Sequence, residues 1–221
     1  MDIRMYDTLH SIPLFQGMNG IDLNRIFDNV QLTIECLEQG EVYVHQGEPC
    51  QQLTFLLNGT FRVDTLSPDE SYTFTEQLTG TALLEGDILY GIQRQWSSTY
   101  TAIDTCRLML IPKDDVSRML ATMEIFRINY LNTLCTLAAR RRRNAWPSPS
   151  PTLRMRFARF VTTHALQPKG PKQLTIRMAD LGNHLGGTRA LVSTMLHEMQ
   201  DEGLLTISRG HIDIPEMTDL Y

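Results

Sequence analysis

Arg189, Ser193, Thr194, His197 and Gln200 recur at spacings that place them on one face of a helix, with Val192, Leu196 and Met199 on the other. A short polar face led by one arginine suits the DNA major groove. Small side chains let the helix approach, and a guanidinium can fork onto the O6 and N7 of guanine. Ahead of this stretch Met178, Leu181 and Leu185 form a second apolar stripe. Gly186-Gly187 breaks the helix, and Thr188 is a suitable N-cap for the next one. Residues 178–205 therefore predict a helix-turn-helix. The following LLTISRGHIDI alternates around Arg209-Gly210, as a two-stranded wing would. The plainer alternative, a helical hairpin packed in a core, does not explain a wing directly after it. Thr188, Lys172, Arg177 and Arg209 are candidate phosphate contacts, which position a protein on DNA without specifying sequence.

The charge distribution supports this reading where the total does not. The 221 residues carry a net charge of −5, yet residues 138–177 hold 10 of the 20 Lys and Arg and no acid. A local basic belt is the electrostatic footprint that phosphates demand. Within it, Arg140 to Arg143 are four adjacent cations that point all round a helix, and phosphate contact and plain solvation suit them equally.

The remaining elements must position these residues. Residues 5–31 predict one or two short helices. From 32 to about 112 short alternating runs are separated by turns at Gly40, Gly47-Glu-Pro, Asn58-Gly, Ser67-Pro-Asp-Glu and Gly86-Asp. Seven or eight strands so spaced predict an antiparallel barrel or jelly roll, with Asn58-Gly59 a hairpin turn. Residues 113–146 then predict one long helix. Along it Ile128, Leu131, Cys135 and Ala138 recur at spacings of three and four, beside Leu134, which is the seam of a two-stranded coiled coil; packing on the chain's own barrel is the alternative. The proline-rich segment 147–151 predicts a hinge. The expected fold is α+β: a jelly-roll-like antiparallel β-roll (1–112), a long dimerisation helix (113–146), the hinge (147–151) and a winged helix-turn-helix (152–221).

This order, with IPLFQGM (12–18), QGEVYVHQGEPCQQLTFLLNGTFRV (39–63), EGDILYG (85–91) and LGGTRALVSTMLHEMQDEGLL (185–205), resembles the CRP/FNR family of bacterial transcription regulators across nearly the whole chain. The resemblance implies a cyclic-nucleotide-binding β-roll, a homodimer, a palindromic double-stranded DNA site with half-sites about 34 Å apart, and contact with RNA polymerase. In the family's nucleotide sensors a Gly-Glu-Leu cassette is followed, about ten residues on, by an Arg that pairs with the cyclic phosphate. Here Gly86-Asp87-Ile88 keeps the first part, whereas Trp96 or Ser97 stands where the Arg belongs. Arg94, two residues earlier, is the candidate substitute. Thr133, with Asn129 and Asn132, is a candidate to face the pocket from the long helix. On the recognition helix Arg189 is kept, while the family's following Glu and second Arg are Ala190 and Thr194.

Other chemistries find less support. No cysteine precedes Cys36, against an iron–sulfur sensor. His45 is the only histidine in the barrel segment, too few for a metal-dependent barrel enzyme, so neither a catalytic residue nor a metal site is assigned. No stretch approaches the roughly 18 apolar residues of a membrane span, and the first residues lack a signal-peptide pattern, so a cytoplasmic protein without a membrane partner is expected. The sequence thus predicts a DNA-binding homodimer with no certain cofactor, gated by a small-molecule effector other than cAMP. The alternative is an effector-independent dimer whose roll is a structural and RNA-polymerase-contact platform. A buried phosphate without its cation loses a charge-assisted pair. Isothermal titration with cAMP should therefore show no micromolar binding, and a micromolar isotherm would refute the cassette reading.

Overall fold

The structure is a computed structural model that describes residues 9–145 and 152–220, without the side chains of 27, 140, 141 and 143–145. The expected proline hinge at 147–151 lies outside the described residues, as do the side chains of three of the four adjacent arginines; Arg142 is exposed. By its contacts the chain divides into two compact units. The first is Met1–Phe61 with Leu78–Arg140, and the second is Arg62–Gln77 with Arg141–Tyr221. Among the described residues no helix is long and apolar enough to cross a membrane, and no group of three or more His, Cys, Asp or Glu is placed to hold a metal ion.

The first unit begins with a helical turn and a 3-10 turn at Pro13–Phe15, then helix α1 (Gly20–Asn29). Asn19 and Asp22 close a capping box that satisfies the first amides of α1. Eight strands follow: β1 (Thr33–Leu37), β2 (Val42–Val44), β3 (Gln52–Asn58), β4 (Thr60–Leu66), β5 (Tyr72–Thr79), β6 (Ala82–Leu84), β7 (Thr99–Ala102) and β8 (Cys106–Pro112). β1, β8, β3 and β6 make one antiparallel sheet, and β2 pairs with β7. Five consecutive residues of β3, Leu53–Leu57, are buried. Asn58-Gly59 is not the expected hairpin turn. β3 pairs with β6 and β8, whereas β4 lies beside β5, so the dipeptide turns the chain out of one sheet into another. Gly59 has φ 105°, and a Cβ there would sit 2.8 Å from the Cys106 backbone, so the corner requires glycine.

The expected single helix over 113–146 is two: α2 (Lys113–Thr122) and α3 (Glu124–Ala145). Met123 is extended at φ −115°, ψ 101°. The Arg127 guanidinium donates to the Leu120 carbonyl at 3.0 Å, giving α2 the C-terminal cap that lets it stop there. On α3, Phe126 and Tyr130 are buried in the unit, with the Phe126 ring 5.7 Å from Phe15.

The second unit contains α4 (Leu153–His164), β9 (Lys172–Ile176), α5 (Met178–Leu185), α6 (Arg189–Asp201), β10 (Thr206–Ser208) and β11 (His211–Ile214). Within this unit the sheet runs β10-β11-β9-β5-β4, so strands from residues 62–77 belong to it. β5 pairs antiparallel with β9 in the register Tyr72↔Ile176, Phe74↔Leu174, Glu76↔Lys172. Phe74 joins Phe157, Val161, Leu181, Val192 and Leu196 in the core. Glu76 and Lys172 meet at 3.1 Å with side chains 2% and 0% exposed. The Glu76 carboxylate also accepts the amides of Leu166 (2.6 Å) and Gln167 (3.0 Å), and the Lys172 ammonium donates to the Lys169 carbonyl (2.9 Å). Every charged atom of the pair thus has partners, the condition under which buried ions are tolerated. Removing one partner strands the other: Lys172→Met should destabilise this unit by about 3–5 kcal/mol, read by urea unfolding.

Candidate nucleic-acid interface and effector cassette

The helix-turn-helix is built on glycine contacts. α5 buries Leu181, Gly182 and Leu185, and ends at Gly186, whose φ of 61° is left-handed. A Cβ on Gly182 would lie 2.9 Å from the Gly187 carbonyl oxygen, so the turn closes only over glycine. Arg156 donates to the Gly186 carbonyl at 3.2 Å. Thr188 caps α6 by accepting the Leu191 amide at 3.3 Å. α6 buries Val192, Met195, Leu196 and Met199. Arg189, Ala190, Thr194 and His197 are exposed and Ser193 is half-buried, so the structure brings these sequence-predicted readers onto one outward face. His197 Nδ1 sits 2.7 Å from the Ser193 carbonyl, which can only accept; Nδ1 therefore carries the proton and Nε2 is the available ring nitrogen. Gln200 is not on that face; its Oε1 accepts the Ile207 amide at 2.7 Å and fastens the wing to the recognition helix. The wing is present as β10 and β11, paired Thr206↔Asp213 to Ser208↔His211, with Arg209 exposed at its tip.

Much of the basic belt is committed inside the unit. Lys172, expected on a phosphate, is buried against Glu76 because β9 turns that residue inward opposite β5. Arg154 pairs with Glu202 at 2.7 Å. Arg177 pairs with Asp180 at 2.6 Å, although its side chain stays 82% exposed. Among the described residues of this unit, Arg142, Lys169, Arg189 and Arg209 are exposed and without an ion-pair partner. Lys169 was missed by the sequence reading, since a lysine between prolines carries no pattern.

A histidine–aromatic cluster lies behind the helix-turn-helix. Tyr72 of β5 meets His164 Nε2 at 2.7 Å, and its ring stands edge-on to that of His184 at 5.2 Å. Ser71 meets His184 Nε2 at 3.3 Å. No sequence pattern announces this, because Ser71 and Tyr72 lie more than 90 residues from their partners.

In the first unit, Trp96 is buried, its ring edge-on to Tyr43 (5.9 Å) and packed on Tyr100 (5.6 Å). It fills with indole the place where a phosphate-pairing cation is expected. Ser97 donates both its amide (2.8 Å) and its hydroxyl (2.7 Å) to Glu85, and the Tyr100 hydroxyl donates to the same carboxyl at 3.1 Å. Burial pushes the Glu85 carboxyl up, against the pull of these three donors. Gly86 is buried, and its carbonyl accepts the Tyr130 hydroxyl of α3 at 2.6 Å. Burial raises the Tyr130 pKa, keeping that phenol a donor. Asp87 and Ile88 are half-buried. Arg94 is exposed and lines a cleft of about 720 Å³ with Cys50, Gln93 and Lys113. The Thr133 hydroxyl donates back to the Asn129 carbonyl at 2.9 Å, and the Asn129 amide holds the carbonyls of Leu14 (3.1 Å) and Gln16 (2.8 Å). On α3, Ile128, Leu131, Cys135 and Ala138 are exposed and Leu134 is half-buried.

The cyclic nucleotide-binding domain family matches residues 34–123, and the Crp-like helix-turn-helix domain family matches residues 155–221. The chain is 24% identical over 216 residues to the electron transport regulator A of Shewanella oneidensis, covering 92% of this chain and 82% of that protein. The crystal structure of DNR from Pseudomonas aeruginosa superposes with a TM-score of 0.50 at 18% identity, covering 100% of this chain and 97% of that one. That of the DNR sensor domain alone matches with a TM-score of 0.50 at 18% identity, over 67% of this chain and 97% of its own.

The geometry makes the exposed cations distinguishable by salt. Arg209→Ala should lower the slope of log affinity against log salt by roughly two per dimer, one phosphate per protomer, whereas Lys172→Met should leave the folded protein's slope unchanged. Fluorescence anisotropy across a salt series reads both.

Proposed function

We propose, because this chain belongs to the CRP/FNR family of transcription regulators, that it binds a palindromic double-stranded DNA site as a homodimer, with Arg189 reading a guanine in each half. The observation that carries this is the outward face of α6, where Arg189, Thr194 and His197 are exposed above a core of Val192, Met195, Leu196 and Met199. An arginine with no ion-pair partner at the first turn of such a helix is free to make the bidentate contact to guanine O6 and N7. The exposed apolar seam on α3 supports pairing with a second copy. Ile128 is 47% and Leu131 53% exposed, which a helix buried only in its own unit does not require. A palindrome mirrors the two-fold symmetry of such a pair. DNA as partner places the protein in the cytoplasm.

For the effector, the cassette favours the second reading, a dimer that binds DNA without any effector and whose roll serves as structural and RNA-polymerase-contact platform. The buried Trp96 supports it, since a phosphate ester there would meet an indole rather than a guanidinium.

The test is site selection from random DNA followed by gel shift. Arg189→Ala should cost roughly 1–3 kcal/mol at the selected site and flatten the preference for the guanine. Leu131→Asp should give a monomer by light scattering and weaken operator binding. An Arg189→Ala variant with unchanged selectivity would refute the assignment.

A further inference from the structure

Glu85 combines three features that a surface loop residue does not need. Its backbone is left-handed, with φ 35°, a conformation that is costly for a side chain bearing a Cβ. It is half-buried, and burial opposes ionisation of its carboxyl. Around it are three donors on two short segments, Ser97 N–H, Ser97 Oγ and Tyr100 OH, and among the described residues it has no cationic partner. Two donors meet one oxygen and the third meets the other, the layout of a cradle for a planar carboxylate.

The cradle is rigid and it lies in the cassette. The Tyr100 ring is 1% exposed and packs edge-on against Phe61 at 5.7 Å and on Trp96 at 5.6 Å. Glu85 directly precedes Gly86-Asp87-Ile88, and Ser97 is one of the two residues that stand where the resemblance expects the phosphate's partner. Ser97 is itself exposed, so the cradle is reachable from solvent.

We infer that the cassette's anion position is a carboxylate site occupied by the chain's own Glu85, which replaces an effector's phosphate and excludes cyclic phosphodiesters. This rests on the effector-independent reading above and supplies its cause. Three neutral donors without a cation suit one carboxylate. The Trp96 ring packs on the Tyr100 ring that carries one of these donors.

Emptying the site tests this. Glu85→Gly removes the carboxylate and at the same time relieves the left-handed backbone, so a merely strained linker would gain stability from the change. We expect the opposite: a melting temperature lower by roughly 4–8 °C, restored by tens of millimolar acetate or formate and not by sodium chloride of equal ionic strength. The unsubstituted protein should respond to neither carboxylate, nor to millimolar cAMP. A variant that melts at or above the parent, acetate acting no better than chloride, or a cAMP-induced rise in the parent would overturn the inference. Should Glu85→Gly not fold, Glu85→Gln and Tyr100→Phe replace it: melting shifts that fail to add in the double variant support the cradle, and additive shifts overturn it. DNA binding of the parent, read by anisotropy in the same preparation, separates the two readings. Failed rescue with intact DNA binding removes the carboxylate site alone, while absent DNA binding removes the regulator reading and leaves the rescue result standing.

Discussion

A carboxylate and an ammonium, both taken out of water, join residue 76 to residue 172 across one strand pair. Two isolated buried ions would cost far more than a small domain's whole stability, so the pair exists only where its partners are placed together. Those partners are the amides of Leu166 and Gln167 and the carbonyl of Lys169, all in the loop that leads from α4 into β9. One contact thereby sets the register of β5 on β9 and the path of that loop. A slip by one residue would send Phe74 out of the core and both charges away from their donors. The unit that carries the helix-turn-helix is therefore not assembled from the C-terminal residues alone. Part of its sheet and part of its core come from residues 62–77.

On that sheet the recognition helix is set by close approach. Gly182 and Gly187 touch where no Cβ fits, Thr188 closes the first turn of α6, and Gln200 holds the wing at the far end. Each is a short-range contact that removes freedom from α6 without occupying its outer face. Arg189 can then meet a base edge without a rearrangement that binding would have to drive.

The helix-turn-helix was legible because its determinants are local: a period near 3.6, a glycine break, and alternation around Arg209-Gly210. The barrel's strands were legible by alternation, but their partners were not. Asn58-Gly59 has the sequence of a hairpin turn, and whether the flanking strands pair depends on Cys106, some 47 positions on. Lys172 was misplaced for the same kind of reason. Composition marks it as one of a basic belt, and only the strand opposite, at Glu76, makes it a core residue. The break at Met123 was hidden because Arg127 caps α2 from the next helix, a tertiary event in an otherwise helical stretch. Glu85 lies just outside Gly86-Asp87, the part that matches a pattern. Its left-handed backbone cannot be read from a glutamate.

The same helix that offers the seam also reaches the cassette. Phe126 and Tyr130, four apart, face into the first unit, while Ile128, Leu131 and Cys135 face out at the intervening positions. A helix with apolar residues on both faces buries one in its own unit and leaves the other for a partner. The Tyr130 hydroxyl ends on the Gly86 carbonyl, one residue from Glu85. In a ligand-gated roll such a link would carry the presence or absence of the ligand to the seam, because side chains packed on a rigid helix move with it. Here the anion adjoining that link is covalently part of the chain, at an effective concentration no diffusing effector matches. A site filled in this way cannot report a cyclic nucleotide's concentration.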